Sequence, residues 1–343
     1  MEIIQGVNTF VGIDAHSEKC SIKAVSQQGD CVLQVDVPTS VLRLKRALKC
    51  LEGPVWAMVE SSCIAPFVKD SIEKEVDRVI VCETRENRWI ARSENKSDQA
   101  DADRLARLLR MGEFKEVHVP RGLRRDRLEA LRLYRKVQGD AIRTKNRIKS
   151  KYRENGVRVS GKKVYSPRYR EQYLNQIGRA QVRFMLEVLY EKLENDEATC
   201  ELVLKRLYSL MKNTREHKAL KTIPGVGPLL ASILAAVIDD PFRFAGKRQL
   251  WSYSALGVRS RWSGDPSKVR VKGSNSGNRL MKYAAMSAAK AALRGDNRFS
   301  RHYKKMVGDG VCPAMARRTV ARQILATALA MLKSGEAYEE RSS

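Results

Sequence analysis

Phe10-Val11-Gly12-Ile13-Asp14-Ala15 opens a set of three short runs on which the fold turns, the others being Cys20-Ser21-Ile22-Lys23-Ala24-Val25 and Cys31-Val32-Leu33-Gln34-Val35. All three are rich in strand-forming residues, and polar turns such as Gln28-Gly29-Asp30 separate them, so together they predict an antiparallel meander. Downstream, Val41, Leu42, Leu44, Ala47, Leu48 and Leu51 recur close to every 3.6 residues and predict an amphipathic helix over 40–51. Pro54-Val55-Trp56-Ala57-Met58-Val59 predicts a fourth strand ending on Glu60; 64–75 predicts a helix, Arg78 to Cys82 a fifth strand and 98–111 a third helix. The order βββαβαβα predicts an α/β domain over residues 8–118.

Four carboxylates stand out against this pattern. Asp14 interrupts an otherwise apolar strand and Glu60 ends another, where a buried charge is costly unless it is paired or bound to a cation. Asp98 and Asp101, spaced i and i+3, share one face of the first turn of a predicted helix. Each acid alone is better explained structurally, Asp14 as a turn residue and Asp98 as a helix cap, satisfied by backbone amides. Jointly, the set suits Mg²⁺ or Mn²⁺, hard cations that polarise a phosphodiester and activate an attacking oxygen. Asp103, two residues from Asp101, should face elsewhere, and His16 is expected to pack or cap, its other possible task being to orient a water.

The middle of the chain is basic. The whole sequence holds 65 Lys or Arg against 39 Asp or Glu, a net charge of +26, more than solubility requires and pointing to a polyanionic partner. Residues 121–170 alone hold 18 Lys or Arg against 4 Asp or Glu, a net +14. Leu128, Leu131, Tyr134, Val137, Ala141 and Ile148 are spaced as on a helix, as are Val182, Leu186, Leu189, Leu193 and Leu207. Two long helices flanking Lys151 to Arg170 therefore predict an antiparallel hairpin within a 119–217 segment. Tyr134, Tyr152, Tyr165, Tyr169 and Tyr173 interleave with the cations, a combination suited to phosphate contacts and base stacking.

A last segment, 218–335, starts with Thr222-Ile223-Pro224-Gly225-Val226-Gly227-Pro228 before an apolar helix. This is the pattern of a helix-hairpin-helix turn that holds a phosphate on free amides, or of an ordinary helix-helix turn. Alanine-rich stretches predict helices over 281–293 and 315–333, and the Ser, Gly, Arg and Lys content of 258–280 predicts a loop. That loop carries Arg259-Ser260-Arg261-Trp262-Ser263-Gly264, where cations flank a hydroxyl and could neutralise charge developing on an attacked phosphate. From spacing alone a Ser-Gly turn in a DNA-contacting loop is the stronger reading, and Ser260, Ser267, Ser274 and Ser276 compete.

Several classes are excluded. With 43% hydrophobic residues the chain is no disordered tail, and its longest uncharged stretch, the 17 residues Thr222 to Ile238, falls short of the ~20 a membrane span needs. Nothing at the amino terminus reads as a secretory signal, so a cytoplasmic, nucleoid-associated protein without a membrane partner is expected. Cysteines 20, 31, 50, 63, 82, 200 and 312 form no C-x-x-C pair and are expected as reduced thiols packed in cores; the scattered histidines offer no structural zinc site.

Gly12-Ile13-Asp14-Ala15-His16, Val59-Glu60-Ser61, Lys96-Ser97-Asp98-Gln99-Ala100-Asp101-Ala102, Ile223-Pro224-Gly225-Val226-Gly227-Pro228, Ser263-Gly264 and Gly277-Asn278 occur in this order. With them, over about residues 8–335, the chain resembles the insertion-sequence transposases that include the Piv-type DNA invertases and the bridge-RNA-guided recombinases. The resemblance implies an α/β ribonuclease-H-like (RuvC-like) amino-terminal domain, a helical coiled-coil hairpin and a mainly α carboxy-terminal transposase domain. It implies that Asp14, Glu60, Asp98 and Asp101 form a metal-holding acidic tetrad and that Ser263 is the catalytic serine, which attacks a DNA phosphate to give a phosphoserine link. The implied partners are donor and target DNA, a structured noncoding bridge RNA, and further copies of the chain in a dimer or tetramer, with acids and serine supplied by different protomers. Two other readings stand beside it: a RuvC-like endonuclease that hydrolyses branched DNA, and a non-catalytic RNA- or DNA-binding protein, against which the intact acid set argues.

Overall fold

The computed structural model describes residues 4–83, 97–261, 270–273 and 276–339, in two compact units, Met1–Val119 and Pro120–Ser343. The first unit contains β1 (Thr9–Ala15), β2 (Lys19–Ser26), β3 (Cys31–Pro38), α1 (Val41–Leu48), β4 (Val55–Glu60), α2 (Ala65–Ile72), β5 (Arg78–Cys82) and α3 (Asp98–Met111). This is the expected βββαβαβα order, with element ends within three residues of those predicted. The strands form one mixed sheet in the order β3-β2-β1-β4-β5, antiparallel from β3 to β1 and parallel from β1 to β5.

Both faces of the sheet are covered, which is why its inner strands read as nearly continuous apolar runs. Val11, Ile13, Ala57, Val59 and Val81 pack with Leu44, Leu48, Val68 and Ile72 of α1 and α2. The alternate residues Phe10, Met58, Ile80 and Cys82 pack with Leu105, Ala106 and Leu109 of α3. Each fully buried side chain of this size contributes roughly 1.5–3 kcal/mol. Gly12 lies under α3, and a Cβ there would fall 2.0 Å from the Ala102 carbonyl oxygen and 2.5 Å from the Ala106 nitrogen. Only glycine lets α3 lie directly on β1.

In the second unit, α4 (Gly122–Glu154) and α6 (Ala180–Met211) form an antiparallel hairpin. Arg127 Nε donates to the Leu210 carbonyl (3.1 Å), Thr144 to Asp196 (2.6 Å), and the Tyr152 and Tyr190 hydroxyls meet at 3.0 Å. The connection is more than a loop, carrying a 3-10 turn (Lys163–Tyr165) and α5 (Pro167–Leu174), whose Val164 and Leu174 fill the tip core with Ile148, Leu186 and Tyr190. The helices α7 (Arg215–Leu220), α8 (Pro228–Ile238), α9 (Lys247–Tyr253), α10 (Arg279–Ala292), α11 (Arg298–Gly308) and α12 (Pro313–Ser334) surround another core. Leu131 and Leu207 from the base of the hairpin enter it beside Leu234, Ala285 and Leu325.

Two expectations are corrected. Residues 258–280 do not form a plain loop: β6 (Val258–Arg261) pairs antiparallel with β7 (Arg270–Gly273), strands too short and too polar to register as alternation. The cysteines are free as expected, but only Cys20 and Cys82 are buried, whereas Cys31, Cys50, Cys63 and Cys312 are exposed. Cys31, for instance, opens an edge strand with no core within reach. Among the described residues no helix is long and apolar enough to cross a membrane.

Candidate active site

The site begins with strand register. β1 and β4 run parallel with Ile13 opposite Val59, so Asp14 and Glu60 are the next residues at the carboxyl ends of adjacent strands. Since Phe10 and Met58 face α3, the two-residue alternation puts Asp14 and Glu60 on that same face. The first turn of α3 carries Asp98 and Asp101, where the positive end of the helix dipole favours carboxylates. Ser97 caps the helix by accepting from the Ala100 amide at 3.2 Å, so Asp98 is not the cap.

Asp14 is 7% exposed, and its Oδ2 lies 3.2 Å from His16 Nε2, which in turn is 3.9 Å from Asp98 Oδ1. One ligand atom from each of Asp14, His16 and Asp98 lies within 4.8 Å of the others, close enough to share one divalent ion. Two carboxylates and an imidazole fit such an ion, the oxygens suiting Mg²⁺ or Mn²⁺. His16 is thus neither packed nor a cap: its side chain is mostly exposed and reaches Asp14 from the turn that follows β1.

The electrostatics favour a cation. Burial raises the Asp14 carboxyl above the ordinary carboxylate range; His16 opposes this, and the charges of Asp101 and Asp98 add to it. Lys19 Nζ lies 3.0 Å from Asp98 Oδ2 and 3.3 Å from Asp36 Oδ2, and its hydrogen bond holds Asp98 below the usual value. Asp36 is lowered chiefly by the Ser21 hydroxyl, which donates to it at 2.7 Å, while Gln99 also donates to it. Arg104 donates to Asp101 at 2.8 Å. Glu60 lies beside Cys82, its register partner on β5, whose thiol is pushed up to about 12 by burial and then by Glu60 and Glu83.

The structure therefore groups Asp14 and Asp98 with His16, sets Asp101 close enough to act on Asp14 through its charge, and leaves Glu60 on the neighbouring strand end. Asp103 turns away to pair with Arg107 at 2.7 Å. Ser263, Ser267 and Ser274 lie outside the described residues. Sequence reading passed over Lys19, Ser21, Asp36 and Gln99; the polar alternation Gln34, Asp36 on β3 was the available signal.

In the second unit the turn before α8 is held by Gly225, at φ +84°, whose added Cβ would lie 2.3 Å from the Ala288 carbonyl oxygen of α10. Of the five tyrosines offered for stacking, Tyr134 and Tyr152 are buried, because they sit on the face of α4 turned toward α6. Tyr165 and Tyr169 are half-buried and already lie beside cations, Lys149 at 5.2 Å and Arg168 at 5.7 Å from the ring centroids.

Residues 217–304 match the transposase IS116/IS110/IS902 family. An uncharacterized 43.6 kDa protein of insertion element IS110 from Streptomyces coelicolor is 30% identical over 125 residues, 36% of this chain and 30% of that protein. A mini-circle candidate transposase for IS117 from the same organism is 28% identical over 177 residues, 50% of this chain and 42% of its own. The matches thus span less than half the length of either relative. They support a place for the chain in this transposase family.

Proposed function

We propose that the chain is a site-specific DNA recombinase that moves its own element, built on a RuvC-like amino-terminal domain. The observation that supports the reading is the grouping of Asp14, at the end of β1, with His16 and with Asp98 on the first turn of α3, where Asp101 also acts on Asp14 through its charge. Asp14 and Asp98, with His16, Glu60 and Asp101 around them, would hold Mg²⁺ or Mn²⁺, which when bound polarises the scissile phosphodiester. Lys19 steadies Asp98, and Ser21 and Gln99 fix Asp36 beneath it.

Ser263, in the segment between β6 and β7, is the nucleophile. Its Oγ bonds to phosphorus as it loses its proton, and the bridging oxygen of the cut strand leaves and takes up a proton as a free hydroxyl. Attack of a hydroxyl from another strand on the phosphoserine reverses both changes and conserves the phosphodiester. The net +14 of 121–170 suits a structured bridge RNA, and a dimer or tetramer would let one copy supply acids and another the serine.

Incubation with a plasmid carrying the element's ends, Mg²⁺ and detergent quenching provides the test. The wild-type chain should give a protein–DNA adduct; Ser263→Ala should give neither adduct nor exchange, and Asp14→Asn or EDTA should abolish both while sparing DNA binding. Exchange by Ser263→Ala overturns the serine assignment. Nicking without any adduct would favour the endonuclease reading instead.

A further inference from the structure

α10 is two-sided. Its alanine face is buried in the core, whereas Arg279, Lys282, Tyr283 and Lys290 lie along the other face and line a groove of about 650 Å³, bounded across from them by Arg317 of α12. At 1.5 Å per residue the row from 279 to 290 runs about 16 Å. No carboxylate lines the groove, and none of these four cations has an acidic partner among the described residues. Elsewhere many surface cations are paired, as Arg104 with Asp101, Arg183 with Glu187 and Lys192 with Asp196. Solvation alone does not call for a row of unpaired cations on a helix without a single acid.

Within this row Tyr283 is 40% exposed, and the Arg135 guanidinium of α4 lies 4.7 Å from its ring centroid, a fifth positive charge at the same place. An exposed ring among unpaired cations matches a ligand that offers phosphates and aromatic faces together. A duplex hides its base faces in its own stack and would leave the ring unmatched. An unpaired strand presents both.

The place of the groove selects the strand. Ala255, which also lines it, stands just before β6, and Arg279 stands just after the turn that follows β7. That turn is tied down: the Asn278 amide donates to the Tyr253 carbonyl at 2.6 Å, and a Cβ on Gly277 would fall 2.7 Å from the Ala255 nitrogen. The groove therefore lies at the root of the β6–β7 hairpin, between whose strands Ser263 falls in the sequence. We infer that the α10–α12 groove, at the root of the β6–β7 hairpin, binds an unpaired DNA strand, an inference that rests on the recombinase reading.

Binding of labelled oligothymidylate to the full-length protein, followed by anisotropy across a salt series, tests it. Lys282→Ala with Lys290→Ala should lower the slope of log K against log salt by about 1.4, the single-strand value for two lost phosphate contacts. Tyr283→Leu should weaken binding about tenfold, with Tyr283→Phe close to wild type. A bromodeoxyuridine oligomer should cross-link to a peptide within 279–290. Unchanged slope and affinity with cross-links elsewhere, equal losses on blunt duplex, or losses confined to oligouridylate would each overturn the inference. Asp14→Asn must bind the oligomer like wild type. If the wild-type chain gives neither adduct nor exchange on the element's ends while the groove variants lose the strand, the recombinase reading fails and the groove stands as a strand site.

Discussion

His217 shows what one buried group contributes. It is 4% exposed, its Nε2–H donates to the Pro228 carbonyl at 3.1 Å, and its Nδ1 has no hydrogen-bond partner among the described residues. Burial holds its pKa below 6.5, so the folded chain keeps it neutral where an unfolded chain would protonate it. Its contribution is complete above pH 6.5 and is lost as the pH falls below that value, at up to about 1.4 kcal/mol per pH unit. Urea unfolding between pH 8 and pH 5 should show this fall in the wild type and a flatter profile in His217→Gln. At this scale the sequence was informative about the acids, since a charge inside an apolar strand is visible in one dimension. It favoured a packing or capping role for His16 and was silent about Lys19, whose surroundings come from residues brought near through space: Asp14 and Asp98 for the first, Asp36 and Asp98 for the second.

Among the elements, α3 is held to the sheet at one decisive point. Gly12→Ala would drive a methyl into the Ala102 carbonyl and lift the helix, with the turn that bears Asp98 and Asp101, off β1. A loss of about 1–3 kcal/mol in stability and of most Mg²⁺-dependent cleavage is expected, read by thermal unfolding and a nicking assay. In the hairpin, Tyr190 donates to the Val164 carbonyl at 2.8 Å and its oxygen meets the Tyr152 hydroxyl at 3.0 Å, all of it buried. Tyr190→Phe strands both partners and should cost about 1–3 kcal/mol in denaturant unfolding, against little change for Tyr165→Phe at the half-buried ring. Element order in the first unit was legible because strand and helix periods differ and glycine and polar turns separate them. β6 and β7 were not, because four-residue strands of Arg, Ser and Lys carry no period and exist through their backbone ladder.

For the whole molecule, the acids belong to the first compact unit and Ser263 to the second. If different protomers supply them, mixing Asp14→Asn with Ser263→Ala protein should restore part of the strand exchange that each has lost alone, up to about half for an equal mixture of random dimers in which one intact pair suffices. No recovery at any mixing ratio would show that one copy supplies both. By itself the sequence determined the strand and helix order of the first unit, the basic middle and an ordered set of motifs that resembles a transposase family, since periodicity, charge and motif order are all properties of a linear string. The tertiary structure decided which groups stand together: Asp14 with His16 and Asp98, Glu60 with Cys82, and the unpaired cations of α10 with Tyr283. Those groupings depend on strand register and on how closely one helix can approach a sheet, and both are fixed only when the core packs.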